Sequence, residues 1–504
     1  MEAGYARGMS ELNQKEKQPL VRFVNRQQMS WRAVDVERLI GEDHSARAIW
    51  TLVGRLDLSR FYQGIESSAE EGGRPAIDPQ LLISLWVYAY SVGIGSAREV
   101  ARRCEYDPAF QWLTGLEEVN YHTLADFRVD KQQELDELFT QVLAALSKEG
   151  LITLDQVMQD GTKIQALASR RSIQRERGLH EHLERARRRV AEMGDPRNEE
   201  ASPKAKRARI RAQRERQQRL ENALGEMEKL RKEKPGGAKP DARVSISEPE
   251  ARIMRHADGG RALSYNAQIS ADAQHGFIVG ASVTQAASDW HELIPAVARI
   301  EQRTGRKPRQ MIADAGYTTR AAIEEMAERK MDFLGSMPRD DVSTGRTSPG
   351  RLPPSAFIYQ PETNRYICPE GKLLRYEGRH NKKKPGLVSY RYEAKASECQ
   401  PCVRKPECCP KNQSRGRGLI RLEESAAVLA FRDKMSGVEA QMQYRRRGRV
   451  VEFCHAWLKS KLGLRRFHVR GLAKAGTELL WGCLTYNLQQ WIRLRRLRDV
   501  PASG

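Results

Sequence analysis

The sequence predicts an α/β core that follows a helical region. Three observations support this fold class: helical patterns run to about residue 150, strand and helix patterns alternate after it, and two segments of different composition interrupt that alternation. Such alternation is typical of α/β folds. The predicted segments are a helical N-terminal domain (1–150), a core built from 151–170, 240–345 and a basic helical part (431–504), an inserted charged helical hairpin (171–239) and a cysteine-containing insertion (346–430).

Helix caps divide the N-terminal domain into short helices. Asp78 caps the apolar helix at 81–92, Ser96 begins the next helix with a capping box, and Asp107 opens a third. A longer helix is predicted at about 123–148. Short helices with tight turns are typical of helix-turn-helix DNA-binding modules, and equally of bundles that support or oligomerise a protein. Four arginines favour the DNA-binding interpretation: Arg98, Arg102, Arg103 and Arg128.

The charged segment 171–239 is predicted to be a helical hairpin. Apolar residues at helical spacing mark one helix at 179–190 and a second at 220–230. Three roles are open for this hairpin: it holds a dimer, lies along DNA, or is simply a solvated charged element.

Three strands are predicted after the hairpin, at residues 251–254, 262–269 and 276–284. With an earlier strand at 154–160 they are expected to form the antiparallel part of a sheet. A helix at 288–304 then leads to the strand before Asp314. Asp289 lies in the first turn of that predicted helix, where the helix dipole favours an acid, so it is not assigned to the candidate site.

Two aspartates and one glutamate are the candidate catalytic residues. Asp160 and Asp314 each follow a short apolar strand pattern, so both are predicted to be strand-end carboxylates. Glu452 belongs to a helical pattern whose polar face also carries Arg449 and Lys459. Converging carboxylates bind divalent cations, and two such ions catalyse phosphodiester chemistry. Taken singly, each acid also fits a structural role, as a turn residue or as half of a surface ion pair.

The charge balance indicates a nucleic-acid partner. Lysine and arginine total 86 against 65 aspartate and glutamate residues, a formal net charge of +21. The basic residues are densest after Tyr444, at positions 445–447, 449, 459, 461, 465, 466, 470, 474, 493, 495, 496 and 498.

Four cysteines are candidate ligands of a structural zinc ion: Cys368, Cys399, Cys402 and Cys408. Two of them have the Cys-x-x-Cys spacing of zinc sites, and Cys409 competes with its neighbour for the fourth position. Free thiols are the alternative, because disulfides are rare in the cytoplasm. The remaining cysteines occupy apolar helical patterns and are predicted core residues: Cys104, Cys454 and Cys483.

The sequence predicts no membrane partner. The longest apolar stretch, residues 81–90, has about half the length that a membrane span requires. The first thirty residues are polar and charged and do not resemble a signal region. We therefore expect a cytoplasmic protein.

The stretches around the three acids resemble the DDE transposases of bacterial insertion sequences, in the branch with an InsH-type N-terminal domain. The resemblance covers about residues 39–494 in the expected order. The matching text is DGTKIQALAS at Asp160, ADAGYTT at Asp314, a C-terminal signature of Tyr444, Arg447, Glu452 and Lys459, GLAKAGTELLWGCLTYNL after it, and PAIDPQLLISLWVYAYSVGIGSAREVARRC with NYHTLADFR near the start.

This resemblance implies a ribonuclease H-like core in which the three acids hold two Mg²⁺ or Mn²⁺ ions. It also implies that Tyr444, Arg447 and Lys459 contact DNA. The tyrosine and arginine stand eight and five residues before Glu452 here, against seven and four in the common pattern, so Arg449 is an alternative DNA contact.

The function implied is that of a transposase. Such an enzyme binds the terminal inverted repeats of its element and catalyses metal-dependent strand cleavage and strand transfer. Its partners are double-stranded DNA, both the element ends and the target, and further copies of itself in a homodimer or higher oligomer. Two alternatives are open: a metal-dependent DNA endonuclease without strand transfer, and a catalytically silent DNA-binding derivative.

Overall fold

The computed structural model describes residues 29, 33–63, 65, 75–193, 203–233, 242–336, 351–379, 388–409 and 414–499. Within these residues the chain forms a helical N-terminal region, a six-stranded sheet, a helical hairpin, a five-stranded sheet and four C-terminal helices. This mixed α/β architecture with a helical beginning agrees with the predicted fold class. No helix in the described ranges combines the length and the apolar content that crossing a bilayer requires.

Seven α-helices make up the described N-terminal region, and the predicted caps begin three of them. Helices α1 to α7 are Ser45–Val53, Ser59–Tyr62, Pro79–Ser91, Ala97–Tyr106, Pro108–Thr114, Tyr121–Asp130 and Gln132–Lys148. The side chains of Asp78, Ser96 and Asp107 accept hydrogen bonds from the first turns of α3, α4 and α5. The single helix predicted at 123–148 is wrong, because Lys131 (φ −99°, ψ 42°) leaves the helical conformation and separates α6 from α7.

The central sheet joins antiparallel and parallel strands. Strands β1 to β8 are Gln156–Gln165, Ile173–Gln174, Val244–Ser245, Arg252–Arg255, Arg261–Asp272, Ile278–Thr284, Gln310–Ala313 and Asp332–Gly335. Six of these form the sheet in the order β4-β5-β1-β7-β8, with β6 also on β5, while β2 pairs with β3. Strand β1 is antiparallel to β5 and parallel to β7, which is parallel to β8. The three strands predicted after the hairpin are confirmed as β4, β5 and β6.

The predicted helical hairpin is confirmed, and its base is tied to the central sheet. Helices α8 (Glu176–Met193) and α9 (Pro203–Glu233) are antiparallel and enclose a small apolar core. Its buried members are Leu179, Leu183, Ala186, Leu220, Ala223 and Met227. At the base, the Glu226 carboxylate accepts hydrogen bonds from Arg252 on β4 and from Gln285 (3.2 Å) after β6. The buried Arg252–Glu226 ion pair therefore fixes the hairpin to the sheet.

Two helices connect the last strands of the central sheet, and a second sheet follows along the chain. Helices α10 (Leu293–Thr304) and α11 (Arg320–Glu328) precede β7 and β8, respectively. The cysteine-containing segment forms strands β9 to β13, which are Ile358–Gln360, Arg365–Ile367, Leu373–Arg379, Ser389–Ala394 and Gly418–Leu422. These pair in the order β13-β12-β11-β10-β9 around a separate small core. Two short helices, α12 (Ala396–Cys399) and α13 (Lys405–Cys408), carry two of the candidate zinc ligands, Cys399 and Cys408.

The last helix connects the N-terminal region to the central sheet. Helices α14 to α17 are Ala426–Ser436, Val438–Arg445, Arg447–Ser460 and Leu472–Asp499. In α17, the Trp481 indole donates a hydrogen bond to the Arg128 carbonyl (3.1 Å). The Asn487 amide accepts from the Ile278 N–H (2.9 Å) and donates to the Ile278 carbonyl (2.8 Å), as a neighbouring strand would. One hydrophobic core thus runs from the N-terminal helices through α17 into the sheet.

The prediction that Arg128 marks a DNA-binding surface is wrong, because this side chain is buried. Only 5% of it is exposed, and it lies 3.8 Å from the buried Glu478 carboxylate. It also donates to the Gly95 carbonyl (2.5 Å) and stacks on the Trp86 ring, with 4.6 Å to the ring centroid. Arg128 therefore joins α6 to α3 and α17.

Candidate active site

Asp160 and Asp314 lie side by side at the edge where two parallel strands stop pairing. Gln159 of β1 is opposite Ala313 of β7, so the next residue of each strand is the aspartate. Neighbouring strands lie about 4.8 Å apart, which brings the two carboxylates into one cluster. The prediction that Asp314 ends its strand is confirmed. Strand β1 continues past Asp160 to Gln165 along β5, so only its parallel pairing ends there.

The pKa of Asp160 is raised because its side chain is buried beside other acids. One oxygen accepts a hydrogen bond from the Gly161 N–H (2.8 Å), and the other lies 3.2 Å from the Arg447 guanidinium. Burial raises the pKa to about 6, while Arg447 and the Gly161 N–H act against the rise. The carboxylates of Asp314 and Asp289 raise it further. Asp160 therefore holds its proton more tightly than an exposed aspartate does.

Asp289 belongs to this cluster, although the sequence pattern placed it in a helix. Helix α10 begins only at Leu293, so Asp289 lies in the preceding loop. Its Oδ1 accepts hydrogen bonds from the Asn266 (2.6 Å) and Gln268 (2.7 Å) side chains of β5 and lies 3.6 Å from the Lys163 ammonium of β1. The helical pattern at 288–304 hid this position, because a loop acid has no periodic signal.

Gly161 makes room for Asp289 beside strand β1. A Cβ atom at this position would lie 2.5 Å from Asp289 Oδ1 and 2.6 Å from Gln268 Nε2, both too close for an atom to occupy. Since Gly161 is paired within β1, the alternative role of Asp160 as a turn residue is excluded. Packing around Asp289 therefore explains why glycine follows Asp160.

Helix α16 turns three polar side chains toward β1. Arg447 pairs with Asp160, and the Lys459 ammonium donates to the Thr162 hydroxyl (2.5 Å). His455 Nδ1 is 3.9 Å from Asp160 Oδ2, and its buried Nε2 has no hydrogen-bond partner among the residues that the structure describes. Burial, with the charges of Lys459 and Arg447, lowers the pKa of His455 to about 3, so its imidazole is neutral. His455 was not identified from the sequence.

Glu452 lies in the predicted helix but on its exposed side. The buried residues of α16 are Val451, Cys454 and Leu458, while Phe453, next to Glu452, is 46% exposed. Within the described ranges the Glu452 carboxylate has no hydrogen bond or ion pair, so the alternative pair with Arg449 is not formed either.

The two remaining candidate DNA contacts differ in exposure. Arg449 is exposed on α16, whereas Tyr444 is half-buried at the end of α15. The Arg447 guanidinium lies 6.0 Å from the centroid of the Tyr444 ring. Arg447 thus connects the tyrosine to Asp160, and the two predicted DNA contacts are neighbours in space as they are in sequence.

The candidate zinc ligands gather around one cavity in the second sheet region. Its lining includes Cys368, Cys399, Cys402, Cys408 and Cys409. The Lys372 N–H donates a hydrogen bond to Cys368 Sγ (3.2 Å). Burial raises the pKa of Cys399, and it raises that of Cys408 to about 12, so these thiols are protonated at neutral pH. Zinc binding stays a prediction. The core positions of Cys104, Cys454 and Cys483 are confirmed.

Cation binding at the strand ends is supported by the chemistry of the donors. Across the described ranges, no three His, Cys, Asp or Glu side chains are grouped so that they already form a metal site. However, Mg²⁺ is commonly bound by one or two carboxylates together with substrate phosphates and water. Asp160 and Asp314 provide such a pair, and the Arg447 guanidinium lies 3.2 Å from Asp160. The residues present therefore fit a divalent cation.

Two family models match the chain. Residues 34–130 match the model described as Transposase domain (DUF772), and residues 367–492 match the model described as Transposase DDE domain. Together they support a DDE transposase of an insertion sequence. No curated protein matches the chain.

The matched ranges contain some of the candidate residues and leave others out. The DDE-domain match contains Glu452, the candidate DNA contacts and the five clustered cysteines. Asp160 and Asp314 lie outside both ranges. The family comparison therefore supports the class of protein, and the placement of the two aspartates comes from strand geometry.

Proposed function

We propose that the transposase binds the inverted repeats at the ends of its element and cleaves and joins DNA there, with Asp160 and Asp314 as the metal-binding pair. The observation that carries this proposal is the placement of the two aspartates at the ends of β1 and β7, in a cluster that raises the pKa of Asp160 to about 6. Acids with perturbed pKa values cluster at functional sites.

The sheet order supports a ribonuclease H-like core. Strands β6, β5 and β1 are antiparallel neighbours, and β7 and β8 continue the sheet parallel to β1. We propose that this core comprises 151–170, 240–345 and 431–504, and that the hairpin and the second sheet are insertions in it. We propose that residues 1–150 form a DNA-binding domain whose described helices share a hydrophobic core with α17.

Each side chain of the cluster has a proposed role. Asp160 and Asp314 would hold two Mg²⁺ or Mn²⁺ ions, with Glu452 as the third acid. When bound, such ions activate the attacking oxygen and stabilise the leaving oxygen of a phosphodiester. Arg447 and Lys459 present positive charge beside β1, where the backbone phosphates of the DNA would lie.

The proposed reaction has two steps at one site. Water hydrolyses a phosphodiester at the element end and leaves a 3′ hydroxyl and a 5′ phosphate. This 3′ hydroxyl then attacks a phosphodiester of the target DNA, so that a new phosphodiester joins the two strands and the 3′ hydroxyl of the broken target strand leaves. An endonuclease on the same scaffold would stop after the first step. Gel analysis of a labelled element end incubated with target plasmid separates the two functions, because only strand transfer joins the label to the plasmid.

Removing either aspartate should abolish cleavage and leave DNA binding intact. We expect Asp160→Asn and Asp314→Asn to lower the nicking rate of a duplex carrying the element end by at least about 10³-fold, because neither amide holds a cation as a carboxylate does. We expect Glu452→Gln to lower it as well. Nicking is measured on denaturing gels, and end binding by mobility shift.

Asp155, which directly precedes strand β1, provides a matched control. Asp155 is exposed and pairs loosely with Arg309 (3.4 Å), so Asp155→Asn should nick at the wild-type rate. Wild-type nicking by Asp160→Asn would refute the assignment. If Asp289→Asn loses nicking and Glu452→Gln does not, then Asp289 is the third acid.

A further inference from the structure

The hairpin of α8 and α9 extends away from the candidate active site. Its base is held by Glu226, which contacts Gln285, a residue only four positions before Asp289. Two ion pairs between the helices keep them antiparallel, Arg231 with Glu176 and Arg187 with Glu221 (3.4 Å). From Glu226 to Arg207, α9 rises about 28 Å at 1.5 Å per residue.

The two halves of α9 carry opposite charge. Residues 207–219, in the half far from the sheet, contain six arginines and one glutamate. Residues 221–233, next to the sheet, contain three basic residues and four glutamates. The far half therefore has a net charge of +5 and the near half a net charge of −1. If the hairpin were simply a solvated charged element, its positive charge would not have to be concentrated in one half.

Most arginines of the far half are exposed and have no acidic partner among the described residues. They are Arg188 and Arg189 of α8 and Arg207, Arg209, Arg214 and Arg219 of α9, which we name the distal arginines. Arg211 does pair with Glu215 (3.0 Å). Like charges three or four residues apart, such as Arg207 with Arg211 and Arg216 with Arg219, destabilise a helix by a few tenths of a kcal/mol. Binding of a polyanion relieves this repulsion.

An apolar contact between two copies of the chain does not explain the positive charge in the far half of α9. The apolar residues of the hairpin face each other in its own small core, among them Leu183 of α8 and Leu220 of α9. What remains outside is charged, and an array of exposed arginines is suited to phosphate recognition. The surface thus fits an extended polyanion better than it fits a second copy of this chain.

We propose that the distal arginines bind the phosphate backbone of double-stranded DNA flanking the cleavage site, without reading its sequence. This inference rests on the proposed function, which makes DNA the substrate. At 3.4 Å per base pair, a reach of about 28 Å corresponds to about eight base pairs beyond the hairpin base. The hairpin is then a second DNA-binding surface, separate from the catalytic cluster.

A quadruple variant tests the proposal: Arg207→Gln, Arg209→Gln, Arg214→Gln and Arg219→Gln. Glutamine removes the charge and keeps helix propensity. On duplexes that extend about 20 base pairs past the cleavage site, we expect binding at least about ten-fold weaker than that of the wild-type protein. The slope of log K against log salt should fall by up to about 3.6, at about 0.9 per lost phosphate contact. On duplexes that end about two base pairs past the site, affinity should not change.

The control removes the same charge near the hairpin base without breaking the Arg231–Glu176 pair: Arg171→Gln, Arg177→Gln, Lys232→Gln and Arg255→Gln. We expect it to bind long duplexes like the wild-type protein, and circular dichroism checks that both variants keep their helices. Equal weakening by both variants would refute the proposal, because net charge alone would then explain the loss. Wild-type binding and salt slope in the distal variant would refute it as well.

Two further measurements separate this proposal from others. If sedimentation shows that the distal variant changes the oligomeric state of the DNA-free protein while DNA binding is kept, then the surface holds a second copy instead, and the proposal is wrong. All binding is measured in the Asp160→Asn background with chelator, so it does not depend on cleavage. Failure of the catalytic assignment would therefore appear only in nicking assays, and failure of the hairpin proposal only in binding to long duplexes.

Discussion

Glu478 and Asp160 are carboxylates in two different regions of the protein, and their surroundings differ. Glu478, where α17 meets the N-terminal helices, is surrounded by donors: the His468 N–H (2.8 Å), the Tyr90 hydroxyl (3.2 Å) and the Arg128 guanidinium (3.8 Å). Asp160, at the strand ends, has one guanidinium and one N–H, and other acids lie beside it.

The contrast distinguishes a carboxylate that stabilises the fold from one that serves a site. A buried acid whose oxygens are satisfied joins elements of structure, whereas an acid whose pKa is raised by burial and by like charges costs stability until a cation arrives. Partner geometry, more than burial alone, indicates which role a buried charge has.

The largest effect is expected where the satisfied carboxylate loses its partner. Arg128→Met should lower the free energy of unfolding by about 3–5 kcal/mol, because Glu478 then remains buried without its cation. Urea denaturation measures the change. Adding Glu478→Gln to Arg128→Met should recover part of the loss, since the uncompensated charge is gone. A loss of less than about 1 kcal/mol would contradict the distinction drawn between Glu478 and Asp160.

A change of opposite sign is expected at the strand ends. The pKa of Asp160 is raised from 3.8 to about 6 in the folded protein, so the folded state holds its proton more tightly, and ionisation of Asp160 removes stability as the pH rises from about 4 to 6. In the presence of chelator, Asp160→Asn should therefore raise the free energy of unfolding at pH 8 by about 1–3 kcal/mol. The lower figure applies if losing the ion pair with Arg447 offsets part of the gain. The gain should fade below about pH 4.

Thermal denaturation at pH 8 and at pH 4 measures this effect, with chelator present. The wild-type protein should also gain more thermal stability from Mg²⁺ than the Asp160→Asn variant does, because the ion binds the folded state through that carboxylate. Destabilisation by Asp160→Asn at pH 8 would contradict the account of an acid whose pKa is raised by burial and by neighbouring acids.

The smallest effect is expected at an exposed arginine of the same N-terminal region. Arg102 pairs with Glu99 (2.8 Å), but its side chain is 62% exposed and Arg103 also pairs with Glu99 (3.0 Å). Arg102→Ala should change the free energy of unfolding by less than about 1 kcal/mol, as exposed pairs generally do. Urea denaturation alongside Arg128→Met tests it, and a loss as large as that of Arg128→Met would remove the distinction between buried and exposed pairs.

The strand-end aspartates were predictable because local patterns and sheet geometry agree. An apolar run followed by an acid marks each strand end, and adjacent parallel strands bring two such ends together. The capping residues Asp78, Ser96 and Asp107 were predictable for a similar reason, since a cap acts on its own first turn.

What was missed depends on contacts between distant parts of the chain. Arg128 reads as a surface charge until α17, some 350 residues later, covers it with Glu478. Asp289 and His455 reach the cluster because a loop and a helix pack on β1, and Glu452 lies on the exposed side because α16 buries the stripe of Val451, Cys454 and Leu458. Helical periodicity predicts which residues share a face of a helix, but tertiary packing determines whether that face is buried or exposed.

Helix α17 also sets the order in which a newly made chain can mature. The Tyr90–Glu478 contact joins residues 388 positions apart, and Asn487 covers the edge of β6. A ribosome releases α17 after the N-terminal helices and the sheet, so until then these elements lack the partner that holds them together. Contacts this distant in sequence are made late and slowly. Translation that stops before α17 therefore leaves apolar surface exposed to chaperones and proteases, and only a chain that includes α17 can complete the shared core.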